Sequence, residues 1–203
     1  MDIVAATRNQ GKLEEIRSIL SESSPGIRIL GMDSFPDLGE IPEPGSTFEE
    51  NALHKARTVA EHTGLISLAD DSGLEVDALD GEPGVYSARY SGPGGGDQEN
   101  IAKLLRRLGD TPSSRRTARF RCVLAACSPE GAHLLARGSW QGRITDQPTG
   151  SGGFGYDPVF FDPELGLTAA QMQQQEKNSR SHRSRALQEL AAKWPEFLQQ
   201  VSA

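Results

Sequence analysis

The sequence predicts an α/β protein with a mixed central β-sheet, on the basis of two observations. Apolar strand patterns alternate with amphipathic helix patterns over the first hundred residues, as they do where parallel strands are connected by helices. Two longer strand patterns, residues 117–127 and 132–140, then flank the turn sequence Ser-Pro-Glu-Gly and predict an antiparallel hairpin. A sheet that contains both kinds of connection is mixed.

The chain opens on a strand and a helix that are joined by a polar turn. Residues 3–6 are apolar, and residues 7–11 are rich in polar side chains and end on glycine. Leu13, Ile16 and Leu20 then recur at helical spacing, so that one face of the predicted helix is apolar. We expect this helix to begin at the turn and to pack its apolar face on a core.

A second helix is predicted to begin at Thr47. It follows a short strand at residues 27–30 and a loop rich in proline and glycine at residues 35–46. Thr47 and Glu50 have the spacing of a capping box, in which each side chain accepts a hydrogen bond from the backbone of the other residue.

Two strands are predicted after this helix, with two acidic residues between them. Residues 66–70 are a strand that ends on Asp70, and Asp71 follows it directly. Residues 75–79 are the second strand. Because neighbouring side chains on a strand point to opposite faces, we expect only one of the two carboxylates to face any given site.

The remainder of the chain alternates helices with glycine-rich loops. A helix is predicted from Asp97, and residues 148–155 hold four glycines and form a loop. Thr168 and Gln171 have the spacing of a cap for a short helix, and the last helix is predicted to begin at Ser181.

Composition limits the classes of protein that fit. The chain has 203 residues with 36% apolar and 24% charged side chains, which suits one globular domain of residues 1–203 or two small lobes. The longest apolar run is six residues, 122–127, far short of the roughly 20 that span a bilayer. The net charge of −7 opposes binding to nucleic acid or to an anionic membrane.

The cysteines indicate a reducing compartment. Cys122 and Cys127 fall on one predicted strand at opposite parity, so their side chains face opposite sides of the sheet and are not expected to form a disulfide. We therefore expect a cytoplasmic protein, and the first residues have no basic segment followed by an apolar one, as a secretory signal would.

The first turn is a candidate anion site. The start of a helix offers unpaired N–H groups and the positive end of the helix dipole, and a lysine adds a full charge. The alternative is an ordinary capped helix with a solvated lysine. The candidate residues are Thr7, Arg8, Asn9, Gln10, Gly11 and Lys12.

Four acidic residues form a candidate metal site: Glu40, Glu43, Asp70 and Asp71. Carboxylates that are packed together need a cation or a shifted pKa, and Mg²⁺ commonly takes one or two carboxylates together with phosphate and water. The alternative is a solvated acidic loop.

Two later segments carry ligand-binding side chains. The loop of residues 150–158 holds Phe154 and Tyr156, which could stack on a nucleobase or could instead fill the core. His182 and Arg183 lie in the first turn of the last helix, where cations oppose the helix dipole. The sequence either accepts a small loss of stability there, with a structural His182, or directs these side chains at a ligand, and this setting favours the ligand. Arginine offers only hydrogen-bond donors and selects acceptors such as a carbonyl oxygen.

Taken together, these segments resemble the inosine triphosphate pyrophosphatases, a family of enzymes that hydrolyse non-standard purine nucleoside triphosphates. They run in the family's order over almost the whole chain. The matching segments are residues 7–12, 43–56, 69–74, 84–92, 152–158 and 181–183.

The resemblance implies an elongated mixed sheet with flanking helices, two lobes with the active-site cleft between them, and a homodimer that requires Mg²⁺. The products would be a nucleoside monophosphate and pyrophosphate. By position, residues 7–12 would hold the triphosphate, Glu43 and Asp71 would hold the metal, and Asp71 would accept the proton of the attacking water. The residues that would contact the nucleotide are Ser72, Phe154, Gly155, Tyr156, Asp157, Lys177, His182 and Arg183.

Two alternatives remain on the sequence alone. A Maf-like nucleotide pyrophosphatase would prefer pyrimidine or modified nucleotides, and a nucleotide-sensing module would bind without turnover. Acidic residues next to a phosphate-binding turn favour an enzyme over a sensor.

Overall fold

A computed structural model describes residues 1–23 and 26–201 of the chain. Within these residues the strands are β1 (Asp2–Ala5), β2 (Arg28–Leu30), β3 (Ile66–Val76), β4 (Thr117–Cys127), β5 (His133–Ile144), β6 (Phe160–Asp162) and β7 (Leu167–Thr168). The α-helices are α1 (Gln10–Ser23), α2 (Phe48–Thr63), α3 (Asp97–Leu108), α4 (Gln174–Arg180) and α5 (His182–Val201).

The strands form one mixed sheet in the order β2-β1-β3-β4-β5-β6-β7. Strand β1 pairs in parallel with both β2 and β3, whereas β6 pairs antiparallel with β5 and β7. The predicted α/β class with a mixed central sheet is therefore confirmed.

The chain divides into two compact units, and the three long strands β3, β4 and β5 each contribute to both. The first unit consists of Met1–Asp71, Cys122–Gly138 and His182–Ala203. The second unit consists of Ser72–Arg121 and Ser139–Ser181.

Each unit has its own apolar core. In the first unit, Ile3, Ile16 and Leu187 belong to a cluster that joins β1, α1 and α5. In the second unit the core is aromatic, and the Phe160 ring lies 4.3 Å from that of Phe120 and 5.0 Å from that of Trp140, measured between centroids. The predicted apolar face of α1 is confirmed, because Leu13, Ile16 and Leu20 are all buried.

Helix α2 begins as its sequence predicts. The Thr47 hydroxyl accepts a hydrogen bond from the backbone N–H of Glu50 at 3.1 Å, and the Glu50 carboxylate accepts one from the backbone N–H of Thr47 at 3.3 Å. This capping box fixes the first turn of α2, and Gly64 ends the helix in a left-handed conformation with φ of 65°.

The prediction that a strand ends at Asp70 is wrong. Strand β3 continues through Asp70 and Asp71 as far as Val76, and residues 77–79 form a short 3₁₀ helix instead of more strand. The physical reason is that both buried carboxylates have cationic partners, so the strand can continue through two charged positions that would otherwise end it.

Two smaller expectations concern the cysteines and the helices. Cys122 and Cys127 are both buried free thiols, as predicted. No helix within residues 1–23 and 26–201 has the length and apolar character needed to cross a membrane.

Strand β5 and helix α5 lie close to each other at Gly138. A Cβ atom built there would lie 2.0 Å from the carbonyl oxygen of His182 and 2.5 Å from the backbone nitrogen of Ala186. Since both contacts are with backbone, only glycine allows the first turn of α5 to sit where it does.

Gly138→Ala is expected to destabilise the fold by on the order of 3 kcal/mol, because the new methyl group displaces the start of α5. Urea denaturation measures the change. Gly39→Ala is the matched control, because a Cβ there meets nothing within 4 Å. Equal unfolding free energies for the two variants would contradict the close approach.

Candidate active site

The predicted anion-binding turn lies between β1 and α1. The Asn9 side-chain oxygen accepts a hydrogen bond from the backbone N–H of Lys12 at 3.0 Å, and the Thr7 hydroxyl accepts one from that of Asn9 at 3.2 Å. Asn9 therefore caps α1, with Gln10 and Gly11 in the first helical turn. An anion at this turn would meet the positive end of the helix dipole.

Arg8 points to a neighbouring loop of the first unit. Its guanidinium donates to the backbone oxygens of Leu38 and Gly39. In the structure, the Arg8 side chain thus holds the loop before α2.

Asp70 is a buried anion that contacts two cations. The Lys12 Nζ lies 2.6 Å from its Oδ1, and the Arg183 Nε donates to its Oδ2 at 2.8 Å. Burial opposes ionisation, but Arg183 and Lys12 together hold the pKa of Asp70 well below its usual range. Arg183 is itself buried and also forms an ion pair with Glu15 of α1.

Cys122 is a further contact of Asp70. Its thiol donates to Asp70 Oδ2 at 3.2 Å. Burial and the adjacent carboxylate raise the pKa of the Cys122 thiol, so that it remains a neutral donor.

Asp71, the next residue on β3, contacts a different set of side chains. Its Oδ2 accepts from the Asn51 Nδ2 at 3.1 Å, and its Oδ1 lies 3.3 Å from the Lys55 Nζ. The same Lys55 Nζ lies 2.7 Å from Glu43 Oε1. Burial raises the pKa of Asp71, an effect that Glu43 adds to and that Lys55 and Lys12 partly offset.

These contacts bring four predicted residues into one part of the first unit: Lys12, Glu43, Asp71 and Arg183. The predicted alternation is confirmed, since Asp70 and Asp71 have different side-chain partners. Lys12 lowers the pKa of both carboxylates, so the helix start and the acid pair are within electrostatic reach of each other.

Phe154, Asp157 and Lys177 form a compact group in the second unit. Asp157 Oδ2 accepts from the Phe154 backbone N–H at 2.9 Å and from the Lys177 Nζ at 2.7 Å. The Lys177 ammonium also lies 4.9 Å from the centroid of the Phe154 ring, a cation–π contact. The predicted loop is thus held by a buried ion pair.

Three more predicted residues lie in the second unit with distinct roles. Tyr156 is buried in the core and its hydroxyl donates to the Ser87 backbone oxygen at 2.9 Å. Gly155 donates its backbone N–H to the Asp97 carboxylate at 2.6 Å. Ser72 is half-buried within β3.

His182 is the first residue of α5 and is buried in the first unit, as is Arg183. The prediction that both lie in the first turn of the last helix is confirmed.

The donor set fits a magnesium ion that also has ligands from its substrate. In the part of the chain that the structure describes, no group of three or more His, Cys, Asp or Glu side chains is placed to hold a metal. Glu43 and Asp71 nevertheless converge on one ammonium, and two carboxylates are the usual protein share of a Mg²⁺ site that is completed by phosphate and water.

Sequence reasoning missed the roles of Glu15, Asn51 and Cys122. Glu15 is three residues after Lys12, and this helical spacing places both on one face of α1. Asn51 is four residues before Lys55 on α2, which is the corresponding signal there. Nothing local marks Cys122, which is 52 residues from its partner Asp70.

Comparison with known proteins decides the family. The sequence profile of the Ham1 family matches residues 3–193. The chain belongs to the Ham1 family.

Relatives within this family are close over the full length. A protein of Nitratidesulfovibrio vulgaris named dITP/XTP pyrophosphatase is 57% identical over 201 residues, which cover 96% of each chain. One of the same name from Geobacter sulfurreducens is 55% identical and covers 91% of this chain and 92% of its own. The Ham1 protein of Staphylococcus aureus has a TM-score of 0.85 at 41% identity, over 97% of this chain and 99% of that structure.

Membership of the Ham1 family confirms the resemblance to inosine triphosphate pyrophosphatases, which was based on six segments of the sequence. The Ham1 structures also agree with the mixed α/β fold described above.

Asp70→Asn is expected to destabilise this Ham1 protein by about 3–5 kcal/mol at pH 7, because it leaves buried Arg183 and partly buried Lys12 without their shared anion. The folded pKa of Asp70 lies below the ordinary value of 3.8. The stabilisation is therefore complete well above that value and is lost as the pH falls toward the folded pKa.

The unfolding free energies of the parent protein and of Asp70→Asn, measured between about pH 3.5 and 7, test this prediction. The difference between the two free energies should become smaller toward about pH 3.5. Asp146→Asn, at an exposed partner of Arg116, is the matched control and should change stability little. A difference between Asp70→Asn and the parent protein that is the same at every pH would argue against an ionised Asp70.

Proposed function

We propose that this chain hydrolyses non-standard purine nucleoside triphosphates, with dITP, ITP and XTP as substrates, to the monophosphate and pyrophosphate. It is a nucleoside-triphosphate pyrophosphatase, the enzyme class that the sequence predicts. Removal of such nucleotides would cleanse the nucleotide pool.

A single observation carries the proposal. Lys12, at a helix start that favours anions, lies 2.6 Å from Asp70, and the next residue on the strand is Asp71, which shares Lys55 with Glu43. Two neighbouring residues of one strand thus contact different groups. Asp70 contacts the lysine of the proposed anion-binding turn, and Asp71 forms a pair of acids with Glu43. Hydrolysis of a triphosphate needs both, one to hold the phosphate chain and one to prepare the attacking water.

Residues 7–12 are proposed to hold the triphosphate. The first-turn N–H groups and the Lys12 ammonium offset the charge of the phosphate oxygens and orient the chain. Thr7 and Asn9 keep the turn in shape through their hydrogen bonds.

Asp71 is proposed as the general base. Its carboxylate takes a proton from water, and the water oxygen bonds to the α-phosphorus as the bond to the bridging oxygen breaks and pyrophosphate leaves. Burial raises the pKa of Asp71 and so makes it a better proton acceptor than a solvated aspartate. Glu43 and Asp71 would hold Mg²⁺, which supplies Lewis-acid stabilisation of phosphate charge when bound.

Two groups of side chains are proposed to contact the purine base. Phe154 offers a ring for stacking, beside Gly155, Tyr156, Asp157 and Lys177. His182 and Arg183 offer donors for the 6-keto oxygen of hypoxanthine or xanthine. Adenine would instead present its 6-amino donor to these donors, which disfavours its binding by about 1–3 kcal/mol.

The remaining features are proposals from the family resemblance. We infer that the chain forms one catalytic domain of residues 1–203 and functions as a homodimer, with no nucleic acid or membrane partner. A cytoplasmic location is supported by the two free thiols.

Asp71→Asn is expected to lower pyrophosphate release from dITP by about 10²–10⁴-fold, because the amide cannot accept the proton. A pyrophosphate-release assay with Mg²⁺ measures the rate, and circular dichroism checks that the variant is folded. Asp77→Asn is the control, since Asp77 is an exposed acid beyond the end of β3. A rate for Asp71→Asn within a few-fold of the parent would remove Asp71 as the base.

A substrate panel separates the proposed activity from its alternatives. We expect kcat/KM for dITP, ITP and XTP to exceed that for ATP by about ten-fold or more, because the 6-keto group satisfies donors that a 6-amino group does not. A preference for dTTP or UTP would indicate a Maf-like activity instead. Nucleotide binding without any pyrophosphate release would indicate a sensing module.

A further inference from the structure

Asn51 connects the two acids of the proposed metal site. It lies on α2 with no exposed surface, where a polar side chain needs hydrogen bonds. Its Oδ1 accepts from the backbone N–H of Gly45 at 2.8 Å, two residues after Glu43. Its Nδ2 donates to Asp71 Oδ2 at 3.1 Å. One planar amide therefore joins the Glu43 segment to Asp71.

The orientation of this amide is fixed by its partners. The backbone N–H of Gly45 can only donate, so the oxygen of Asn51 must face it and the NH₂ group must face Asp71. Lys55, one turn later on the same face of α2, contacts the other oxygen of Asp71. Both carboxylate oxygens of Asp71 are thus held from α2, which restrains rotation of the carboxylate.

Gly45 shows how closely the loop is drawn to this amide. A Cβ atom on Gly45 would lie 2.6 Å from Asn51 Oδ1 and 2.7 Å from Glu50 Cβ. A side chain at position 45 would therefore displace the Asn51 amide, although the backbone N–H of residue 45 that donates to the amide oxygen would still be present.

We propose that Asn51 is a positioning residue that sets the relative placement of Glu43 and Asp71, and with it the affinity for the divalent metal. The inference rests on the proposed function. Lys55 and Asn51 act on the two acids in different ways. The Lys55 ammonium neutralises carboxylate charge from any direction, whereas the Asn51 amide forms two directional hydrogen bonds that fix the orientation of the groups it joins. Loss of the amide removes no formal charge from the site and releases the direction in which the two acids are held.

The test measures metal binding without turnover. Mn²⁺ is titrated into the protein with a dITP analogue that carries a methylene group in place of the α–β bridging oxygen, and free Mn²⁺ is followed by electron paramagnetic resonance. Asn51→Ala is expected to weaken Mn²⁺ binding by about 10-fold or more, as loss of groups that orient metal ligands does elsewhere. Mn²⁺ affinity within about two-fold of the parent protein would overturn the proposal.

The chain offers a matched control in Asn100 of α3. This buried amide bridges in the same way, with Oδ1 accepting from the backbone N–H of Ser91 at 2.7 Å and Nδ2 donating to the backbone oxygen of Ala88 at 3.2 Å. It belongs to the second unit, whereas Glu43 and Asp71 belong to the first. Asn100→Ala should lose stability and retain Mn²⁺ affinity. An equal loss of Mn²⁺ affinity in both variants would overturn the proposal, since loss of a buried amide anywhere would then suffice.

Gly45→Ala keeps the test decisive where Asn51→Ala does not fold. It should weaken Mn²⁺ binding in the same direction. Where Asn51→Ala and the double variant do fold, the double variant should lose less affinity than the product of the two fold-changes, because both substitutions act through one amide. Full additivity, or unchanged Mn²⁺ affinity in folded Gly45→Ala, would contradict the inference. Absence of pyrophosphate release by the parent protein would instead contradict the proposed function, whatever the metal titrations give.

Discussion

Two neighbouring carboxylates on one strand, Asp70 and Asp71, govern the arrangement of the first unit. Unit charges of like sign about 4 Å apart repel by about 4 kcal/mol at an effective dielectric constant of about 20. The alternation of β3 sends the two side chains to different partners, and each is matched by cations from other elements. Helices α1 and α5 supply Lys12 and Arg183 to Asp70, and α2 supplies Lys55 to Asp71. The helices of this unit are thus held to the sheet by charge as well as by apolar packing.

The two carboxylates differ in their cationic partners and in the direction of their pKa shifts. Asp70 contacts Lys12 and Arg183, and Arg183 also pairs with Glu15. Asp71 shares the ammonium of Lys55 with Glu43. Despite burial, the two cations lower the pKa of Asp70, whereas burial raises that of Asp71. An Asp70 that stays ionised stabilises the fold, whereas an Asp71 with a raised pKa is better suited to accept a proton.

Local signals predicted most of the longer helices and strands and several of the candidate side chains. The Thr47 capping box, the apolar face of α1 and the alternation of Asp70 and Asp71 all depend on residues within a few positions of one another, and the structure bears them out. The uninterrupted course of β3 was not predictable, because the cations that allow buried acids mid-strand are distant in sequence. Arg183 is 113 residues from Asp70, and Asn51 is 20 from Asp71. The roles of Glu15 and Asn51 therefore became visible only with their partners in place.

Anomalous scattering from a crystal of the protein with Mn²⁺ and a non-hydrolysable dITP analogue tests the central claim most directly. We expect a manganese peak within coordination distance of carboxylate oxygens from both Glu43 and Asp71, with the phosphate chain of the analogue at the start of α1 beside Lys12. A peak that lacks either carboxylate, or a phosphate chain bound away from Lys12, would contradict it.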